Sequence, residues 1–502
     1  MEFLDPKKQK QHHVYLMISY ALTTIGLVLA TIILVSLAYG FGFDRKGQVT
    51  QSGLVFMSSS PSGAQVWVND KQQSNTTNTR LLLQEGRYTV RLTKEGYTDW
   101  QRSITVNGSV LERFDYPMLI PKTLTTTTVK SFGAAVDFAS QSRDRRWLVV
   151  QDPGVVNTFS LYDLNDRAQN PTGFTLPTTV LTDPASTQSW KQVEWSTNNR
   201  HLLALRTYTS SATKQPATEY ILIDREKPAE SVNISSKLAA DQSDVRLVDG
   251  AYDVYYLLNP ANQRLTKASL EDTTAQTVLN GVAEYKSYGD DKVLYVTTVT
   301  ENEKNAIVRL KDGDKTYQIR DDIPARGVYL LELAQHDGKW YVAAGEQSEN
   351  RVPVYKDPID SLRQLPNDPL VPIQVLKVQK PVYVAFSSNT RFIMATGGQN
   401  FYTYDIKNDK GYHYTASQPL DAPQTSARWM DGYRLAYVSG GKLVMFDYDY
   451  INQRTLQAAN PAFLPYFDRD YEFVYSMLGQ QDETGLTNTL LQSTALRLEA
   501  DL

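Results

Sequence analysis

The chain has 502 residues, of which 41% are hydrophobic and 21% charged, enough for two or three domains with sizeable cores. Its formal net charge of −4 excludes a nucleic-acid binder that relies on bulk positive charge, because phosphate neutralisation requires clustered Lys and Arg. The lack of cysteine excludes disulfides, cysteine-ligated metal centres and thiol nucleophiles, and five histidines leave little material for a metal site.

The first predicted element is a run without charge from Val14 to Phe43. A helix that rises ~1.5 Å per residue crosses the hydrocarbon core with roughly 20 apolar residues. Residues 14–43 therefore predict a transmembrane helix whose partner is the lipid bilayer. The alternative is a cleavable signal peptide, with Ser36 and Ala38 as the small residues before the cut. Because signal-peptide apolar regions run only about 7–15 residues, we expect an uncleaved signal-anchor.

The orientation of this helix depends on few charges. Three lysines lie in the preceding tail, residues 1–13, and two basic residues follow the helix next to Asp44. These basic residues are Lys7, Lys8 and Lys10 before the helix and Arg45 and Lys46 after it. The positive-inside rule then favours a cytoplasmic N-terminus, a single pass through the cell membrane and an extracytoplasmic bulk. The absence of cysteine in an exported chain indicates a bacterial source.

After a linker at 44–52, residues 53–120 change to short β-branched or aromatic stretches bounded by Gly, Asn and Pro. This pattern predicts a compact antiparallel β-sandwich. The run Ser-Pro-Ser-Gly-Ala at 60–64, the alternating valines after it and the Glu-Gly-Tyr at 95–97 resemble the PEGA domain. Ser62 and Asp70 depart from the family pattern, in loops. The resemblance implies a non-catalytic module of bacterial and archaeal surface proteins, near envelope structures.

Residues 121–502 contain an internal repeat, beyond a boundary predicted at the prolines and the threonine run 125–128. In three copies an aromatic residue precedes an arginine by five positions, across a polar turn, and an apolar strand follows. A later strand in each copy ends in an aspartate. The three sets are Trp195, Arg200 and Asp224; Phe386, Arg391 and Asp405; Trp429, Arg434 and Asp447. Weaker copies bring the total to eight units of roughly 48 residues, the length of a propeller repeat.

Repeats of this length with several short strands predict a β-propeller, because one small sheet exposes both faces until its neighbours cover them. The polar turns resemble those of TolB-like and WD-repeat-like propellers, which implies a fold more than a function. The predicted fold class is thus all-β: an N-terminal transmembrane helix, a PEGA-like sandwich and a propeller of about eight blades. An irregular β-solenoid or sandwich array is the alternative. Trp195, Phe386 and Trp429 are expected to pack between blades.

The sequence contains no motif for zinc proteases, serine hydrolases, phosphate loops or dinucleotide binding. The adjacent acids at 290–291 and 321–322 are interpreted as solvated loop residues. The acids at 312–314 and 447–449 lack the spaced oxygen ligands of an EF-hand calcium loop. Three histidines, His201, His336 and His413, lie in different units. We therefore predict no catalytic, cofactor-binding or metal-binding residues and no cofactor.

Together these features predict a single-pass, membrane-anchored envelope protein that is not an enzyme. Its PEGA and propeller domains would bind a protein partner or a cell-wall glycan, and no nucleic acid. The alternative is a propeller-type envelope hydrolase, whose carboxylates would come from several blades and meet in the central channel. Transmembrane signalling is a third possibility, limited by the short cytoplasmic tail.

Overall fold

The structure is a computed structural model that describes residues 6–38, 41–43, 49–183, 188–240, 243–299, 303–365, 368–421, 427–481 and 487–502. Parts of the predicted tail (1–5), of the predicted helix (39–40) and of the predicted linker (44–48, with Asp44, Arg45 and Lys46) lie outside the described residues. The chain forms two compact units. One comprises Met1–Thr123 and Leu498–Asp501, and the other comprises Leu124–Arg497 and Leu502.

The N-terminal helix α1 (Pro6–Ala38) is, in the described part of the chain, the one helix long and apolar enough to cross a membrane. Its stretch Lys10–Ser36 has a mean hydropathy of 2.3 and is not buried by the rest of the chain. The hydroxyl groups of Thr23, Thr24 and Thr31 each donate a 2.8 Å hydrogen bond to the carbonyl four residues earlier. Such bonds keep polar side chains satisfied in hydrocarbon, where water is absent.

The rest of the first unit has two four-stranded sheets. In one, the central strand pairs antiparallel with two strands and parallel with the last strand of the unit; in the other, all pairs are antiparallel. The first sheet contains β1 (Phe41–Phe43), β2 (Val49–Met57), β5 (Thr79–Gln84) and β8 (Leu111–Phe114), and the second contains β3 (Gln65–Val68), β4 (Lys71–Thr76), β6 (Gly86–Thr93) and β7 (Trp100–Val106). Burial alternates strictly along β7, as expected when only one face of a strand is buried.

The described residues of the second unit form eight four-stranded antiparallel sheets, which we number one to eight in chain order. Its first strand is β9 (Thr126–Phe132). Sheets one to four are β10 (Ala139–Gln141), β11 (Trp147–Gln151), β12 (Thr158–Asp163), β13 (Thr172–Thr175); β14 (Gln188–Trp195), β15 (His201–Thr209), β16 (Pro216–Asp224), β17 (Val232–Asn233); β18 (Asp244–Leu247), β19 (Val254–Asn259), β20 (Arg264–Ser269), β21 (Gln276–Asn280); and β22 (Val282–Tyr288), β23 (Lys292–Thr297), β24 (Asn305–Asp312), β25 (Lys315–Pro324).

Sheets five to eight are β26 (Tyr329–His336), β27 (Lys339–Glu346), β28 (Arg351–Lys356), β29 (Gln374–Lys377); β30 (Tyr383–Phe386), β31 (Phe392–Gly397), β32 (Asn400–Asp405), β33 (Lys410–Thr415); β34 (Arg428–Trp429), β35 (Arg434–Ser439), β36 (Lys442–Asp447), β37 (Arg454–Ala458); and β38 (Tyr466–Phe467), β39 (Phe473–Gln481), β40 (Thr487–Ala495) with β9. Short helices α2 (Ile234–Lys237) and α3 (Pro358–Gln364) lie in connections of the second and fifth sheets.

The eighth sheet closes the ring, because its outermost strand is β9, the first strand of the unit. The hydroxyl oxygens of Thr126 and Thr494 lie 2.7 Å apart across this pairing. One hydrophobic cluster joins Leu148 of the first sheet to Phe473 of the eighth. A sequential series of four-stranded sheets that closes on itself in this way is a β-propeller. The predicted fold class is confirmed, and the solenoid alternative is wrong.

The repeated aromatic residues pack between neighbouring sheets, as predicted. The indole nitrogen of Trp195 donates a 2.8 Å hydrogen bond to the Ser140 hydroxyl of the preceding sheet. The indole nitrogen of Trp429 donates in the same way to the carbonyl of Ala385, at 3.0 Å. Phe386 packs against buried residues of the fifth and sixth sheets. Each aromatic therefore covers a sheet face that would otherwise be exposed.

Candidate functional site

The first strand of each propeller sheet lies at the inner end of that sheet. These first strands contact one another in succession: β14 lies against β18, β22 against β26, and β26 against β30. They therefore surround the centre of the ring. We call the surface formed by the eight first strands the channel wall. Residues far apart in sequence meet on it, because each repeat contributes one strand.

Charged residues of both signs lie on the channel wall in the second to fifth sheets, among them Glu194, Asp244, Arg246, Glu284, Lys286 and Glu332. The sequence analysis allowed for channel carboxylates but identified none of these residues. Two of the acids follow a β-bulge, between Gln192 and Glu194 and between Val282 and Glu284. A bulge changes the direction of the side chains after it, and such bulges are common beside functional sites.

Lys286 and Glu332 form the shortest ion pair of the channel wall, with 2.7 Å between Nζ and Oε1. Burial raises the pKa of the Glu332 carboxyl, and the charge of Lys286 opposes this rise. Burial lowers the pKa of Lys286, but the charge and hydrogen bond of Glu332 outweigh it, so the pKa of the ammonium group is raised overall. The lysine therefore stays charged, and Glu332 holds its proton more tightly than an exposed glutamate.

Glu194 connects the second sheet to the third. Its Oε1 accepts a hydrogen bond from the backbone N–H of Leu247, and its Oε2 lies 3.5 Å from Nη2 of Arg143. Burial raises the pKa of the Glu194 carboxyl, although the Leu247 hydrogen bond and the charge of Arg246 lower it in part. Glu194 is thus held in place by the backbone while one oxygen faces the guanidinium.

The third and fourth sheets add a second set of opposite charges. The Arg246 Nε donates to Asp244 at 3.1 Å, and the Tyr220 hydroxyl donates to the same carboxylate at 3.1 Å. Burial lowers the pKa of the Arg246 guanidinium, but the charge of Asp244 outweighs it and raises the pKa overall. Burial also raises the pKa of Glu284, on the neighbouring strand. The wall therefore carries both signs of charge at close range.

Tyr285 lies among these charges and is 8% exposed. Its hydroxyl is buried and has no hydrogen-bond partner in the described part of the chain. Burial raises the pKa of this hydroxyl well above its usual value, and the charges that act on it belong to Asp244, Arg246, Glu194 and Glu284. A buried hydroxyl without a partner is uncommon and costs about 1–3 kcal/mol. The ring of Tyr285 packs in a hydrophobic cluster between the third and fourth sheets, with Tyr256 and Val282.

The opposite part of the channel wall has a different chemistry. The guanidinium of Arg428 lies 3.6 Å from the ring centre of Tyr383, on the first strands of the seventh and sixth sheets. Cation–π stacking of this kind holds an arginine side chain flat against an aromatic face. The wall is therefore ionic in sheets two to five and aromatic and basic in sheets six and seven.

Of the three histidines weighed in the sequence analysis, His336 lies at the end of β26, on a first strand, and the other two lie on other strands of their sheets. His201 Nε2 lies 3.5 Å from Asp224, and burial lowers the pKa of its imidazole. His336 Nδ1 lies 3.3 Å from the Thr390 hydroxyl, and His413 is on the outermost strand of the sixth sheet. These histidines belong to three different sheets. In the described ranges no three His, Asp or Glu side chains are grouped so that they could hold a metal ion.

One interpretation of the acidic residues is wrong. The acids at 290–291 lie in a turn, as expected, but Asp321 and Asp322 lie within strand β25. Their strand is the outermost of the fourth sheet, where polar side chains are exposed. Asp322 accepts a 2.6 Å hydrogen bond from Nε of Arg320, which is almost fully buried. Asp312, considered for calcium, pairs with Lys292 at 2.9 Å.

Comparison with known proteins identifies one domain of the chain. Residues 52–116 match the PEGA domain, in agreement with the predicted span 53–120. No curated protein matches the chain. Among solved structures, the Dos1 propeller has a TM-score of 0.44 and 11% identity, and the match covers 74% of this chain and 94% of that one. An oligogalacturonate lyase from Vibrio parahaemolyticus has a TM-score of 0.37 and 10% identity, with 76% and 96% covered.

Proposed function

We propose that this protein is a single-pass, membrane-anchored binding protein of the bacterial cell envelope, and that its channel wall binds a cell-wall glycan without turning it over. The PEGA domain, the propeller fold and the N-terminal apolar helix fit an envelope protein with a binding role. The lysines in the first turns of α1 favour a cytoplasmic N-terminus and an extracytoplasmic propeller. The ligand class is argued from the channel wall.

The observation that carries the proposal is the pair of opposite charges on the channel wall, Asp244 with Arg246 at 3.1 Å, whose side chains are half-exposed. A sugar hydroxyl both donates and accepts, so it can pair with Asp244 and also with Arg246. A ligand with one strong sign of charge would meet repulsion from part of the wall, which holds both signs. A neutral, polyhydroxylated chain therefore fits the wall better than a strongly charged one.

A hydrolase is the second candidate function, favoured by three acids of the channel wall. Burial raises the pKa of Glu194, Glu284 and Glu332, and a raised carboxyl pKa is what a general acid requires. Glycosidases use one such carboxyl group as the general acid and a second, ionised carboxylate on the other side of the scissile bond. Binding is preferred because Glu332 is paired with Lys286 and Glu194 accepts from the backbone, which favours fixed positions over proton transfer.

The test uses the full-length protein in detergent, mixed with insoluble peptidoglycan and with soluble glycan fragments. Arg246→Gln should weaken retention about tenfold, the loss of roughly one hydrogen bond to the ligand, while the melting temperature changes little. The matched control is Arg363→Gln, which removes another half-exposed, paired arginine, on α3 and outside the channel wall. It should leave retention unchanged.

Other outcomes distinguish the alternatives. Release of soluble products that stops in Glu332→Gln would favour the hydrolase over the binding protein. Absence of retention, with capture of an envelope protein that Arg246→Gln weakens, would favour a protein partner instead. For the membrane assignment, intact-mass measurement of the membrane fraction should find the N-terminal residues present. A mature chain that begins near Tyr39 would contradict the uncleaved signal-anchor.

A further inference from the structure

The Glu-Gly-Tyr motif of the first unit forms a tight turn, Lys94–Tyr97. The backbone N–H of Tyr97 donates to the carbonyl of Lys94 at 3.0 Å, and Gly96 has a φ of 78°. The carbonyl of Gly96 accepts from the backbone N–H of Lys122 at 2.8 Å. Glycine adopts this backbone conformation without strain, so the motif fixes the turn rigidly.

This turn binds a segment from the other end of the chain, Leu498–Asp501, which belongs to the same compact unit. Lys94 Nζ lies 2.6 Å from Oδ1 of Asp501, and the Tyr97 hydroxyl donates to Oδ2 at 2.7 Å. The same hydroxyl accepts from the backbone N–H of Leu498 at 2.8 Å. Tyr97 is fully buried, so its hydroxyl meets the segment in a site with little access to water. Bonds to a charged group are stronger there than in solution.

Leu498 packs against Gly96 of the turn, in space that a larger side chain at position 96 would fill. A Cβ atom added to Gly96 would lie 2.6 Å from Cδ1 of Leu498, well inside van der Waals contact. Any side chain at position 96 would therefore displace the leucine. Lys94 Nζ also donates to the carbonyl of Ser62 at 2.9 Å, which connects the site to the Ser-Pro-Ser-Gly-Ala loop. The turn thus contacts a leucine and, three residues later in the bound segment, a carboxylate.

We propose that the Lys94–Tyr97 turn is a peptide-binding site for the pattern Leu-x-x-Asp, which the chain fills with its own residues and which a second polypeptide with this pattern can occupy in their place. The turn supplies every one of these contacts. The Lys94 ammonium and the Tyr97 hydroxyl bind the carboxylate, the Tyr97 hydroxyl oxygen also accepts one backbone N–H, and Gly96 leaves space for the leucine. A segment on the same chain is present at an effective concentration of about millimolar, so it competes strongly with a free peptide. This inference does not depend on the proposed glycan site.

The test uses the full-length protein in detergent and a fluorescent hexapeptide, Arg-Leu-Glu-Ala-Asp-Leu, the sequence of residues 497–502. Asp501→Asn in the protein weakens the contact of its own segment with the turn. The peptide should then bind this variant at least tenfold more tightly than it binds the unmodified protein. Glu499→Gln is the matched control, because Glu499 is exposed and should leave peptide binding as weak as in the unmodified chain. A peptide with Asn in place of its Asp should not bind Asp501→Asn.

A second experiment measures how firmly the protein's own segment is bound, without the peptide. Hydrogen exchange at the Leu498 amide should accelerate in Tyr97→Phe, which removes the acceptor of that N–H, and remain slow in Glu499→Gln. Gly96→Ala should accelerate it as well, because the leucine is displaced. If Asp501→Asn binds no peptide, or if the unmodified protein binds it equally well, the proposal is overturned. Unchanged exchange at Leu498 in Tyr97→Phe would overturn it too.

Discussion

Arg391 and Asp405 form a two-pronged ion pair inside the sixth sheet, with 3.1 Å from Nε to Oδ1 and 2.8 Å from Nη2 to Oδ2. The pair connects the turn after β30 to the end of β32. Asp405 is fully buried, and it also accepts the backbone N–H groups of Lys407 and Asn408. One carboxylate thereby fixes two turns. The same connection recurs in the second sheet as Arg200 with Asp224, whereas Arg434 of the third repeated set pairs with Asp431.

Asp405→Asn should lower the free energy of unfolding by about 3 kcal/mol, because it leaves the Arg391 guanidinium buried without a counter-charge. Chemical denaturation monitored by tryptophan fluorescence measures the change. The matched control is Asp337→Asn, whose side chain is 87% exposed and which should cost less than about 0.5 kcal/mol. Equal effects of the two substitutions would show that the pair adds nothing to stability.

Trp195→Phe should destabilise the propeller by about 1 kcal/mol more than Trp190→Phe. Both tryptophans are buried in one cluster between the first and second sheets. Only Trp195 donates a hydrogen bond, to Ser140, whereas the indole nitrogen of Trp190 has no partner in the described residues. Because both substitutions remove a similar volume, the difference between their denaturation midpoints isolates the hydrogen bond between the sheets. A larger cost for Trp190→Phe would contradict this assignment.

The stability of the protein should depend on pH through Asp468. Burial raises the pKa of this carboxyl to about 6, against about 3.9 in an unfolded chain. The folded chain therefore keeps a proton that the unfolded chain has lost, so this contribution to stability is present below about pH 4 and is lost as the pH rises through 6. Asp468→Asn should raise stability at pH 7.5 by about 2 kcal/mol and flatten the profile between pH 4 and 6.

Melting temperatures from pH 4 to 7.5 test this expectation. The asparagine can still accept the backbone N–H of Phe473, as Asp468 does at 3.0 Å, so the hydrogen bond is retained. Asp314→Asn, at an exposed position in another sheet, is the control and should leave the profile unchanged. An Asp468→Asn protein with the same pH profile as the unmodified chain would contradict the assignment.

Gly53→Ala should destabilise the first unit by about 1–3 kcal/mol, because the new methyl group has no space. A Cβ at this position would lie 2.7 Å from Cγ1 of Val106 and would overlap the backbone oxygen of Asn107. Gly133→Ala is the control, since no atom lies within 4 Å of its added Cβ. Calorimetry of both variants compares them, and a Gly53→Ala protein as stable as Gly133→Ala would show that the strand can shift.

The sequence predicted the elements whose physical pattern is local. The uncharged run of α1, the PEGA motif and the aromatic residues Trp195 and Trp429 each depend on neighbours within a few residues or on a repeated environment. The boundary predicted at the prolines and the threonine run lies beside the division between the two units, at Thr123 and Leu124, but strand β9 (Thr126–Phe132) was not predicted. Six of its seven residues are exposed, so no alternation of apolar residues marks it, and its partner lies more than 350 residues away.

The candidate site was not predictable for a different reason. Glu284 and Lys286 alternate with buried residues, which in a single sequence is the pattern of any half-exposed strand. Only the closed ring turns that exposed face toward the channel, beside Glu332 of the next sheet. The Tyr97 site was missed because its two halves, the Glu-Gly-Tyr turn and Leu498–Asp501, have no common pattern in the sequence.

Strand β9 also constrains how the protein is made. The pair Thr127 and Ser493 is separated by 366 residues, which a ribosome takes roughly 20 to 70 s to add at about 5–20 residues per second. For that time β9 is an unpaired strand edge, which in an apolar sequence would invite aggregation. Its residues Thr-Thr-Thr-Val-Lys-Ser-Phe are mostly polar and include a lysine. The polar composition of β9 therefore limits aggregation of this unpaired strand while the rest of the ring is synthesised.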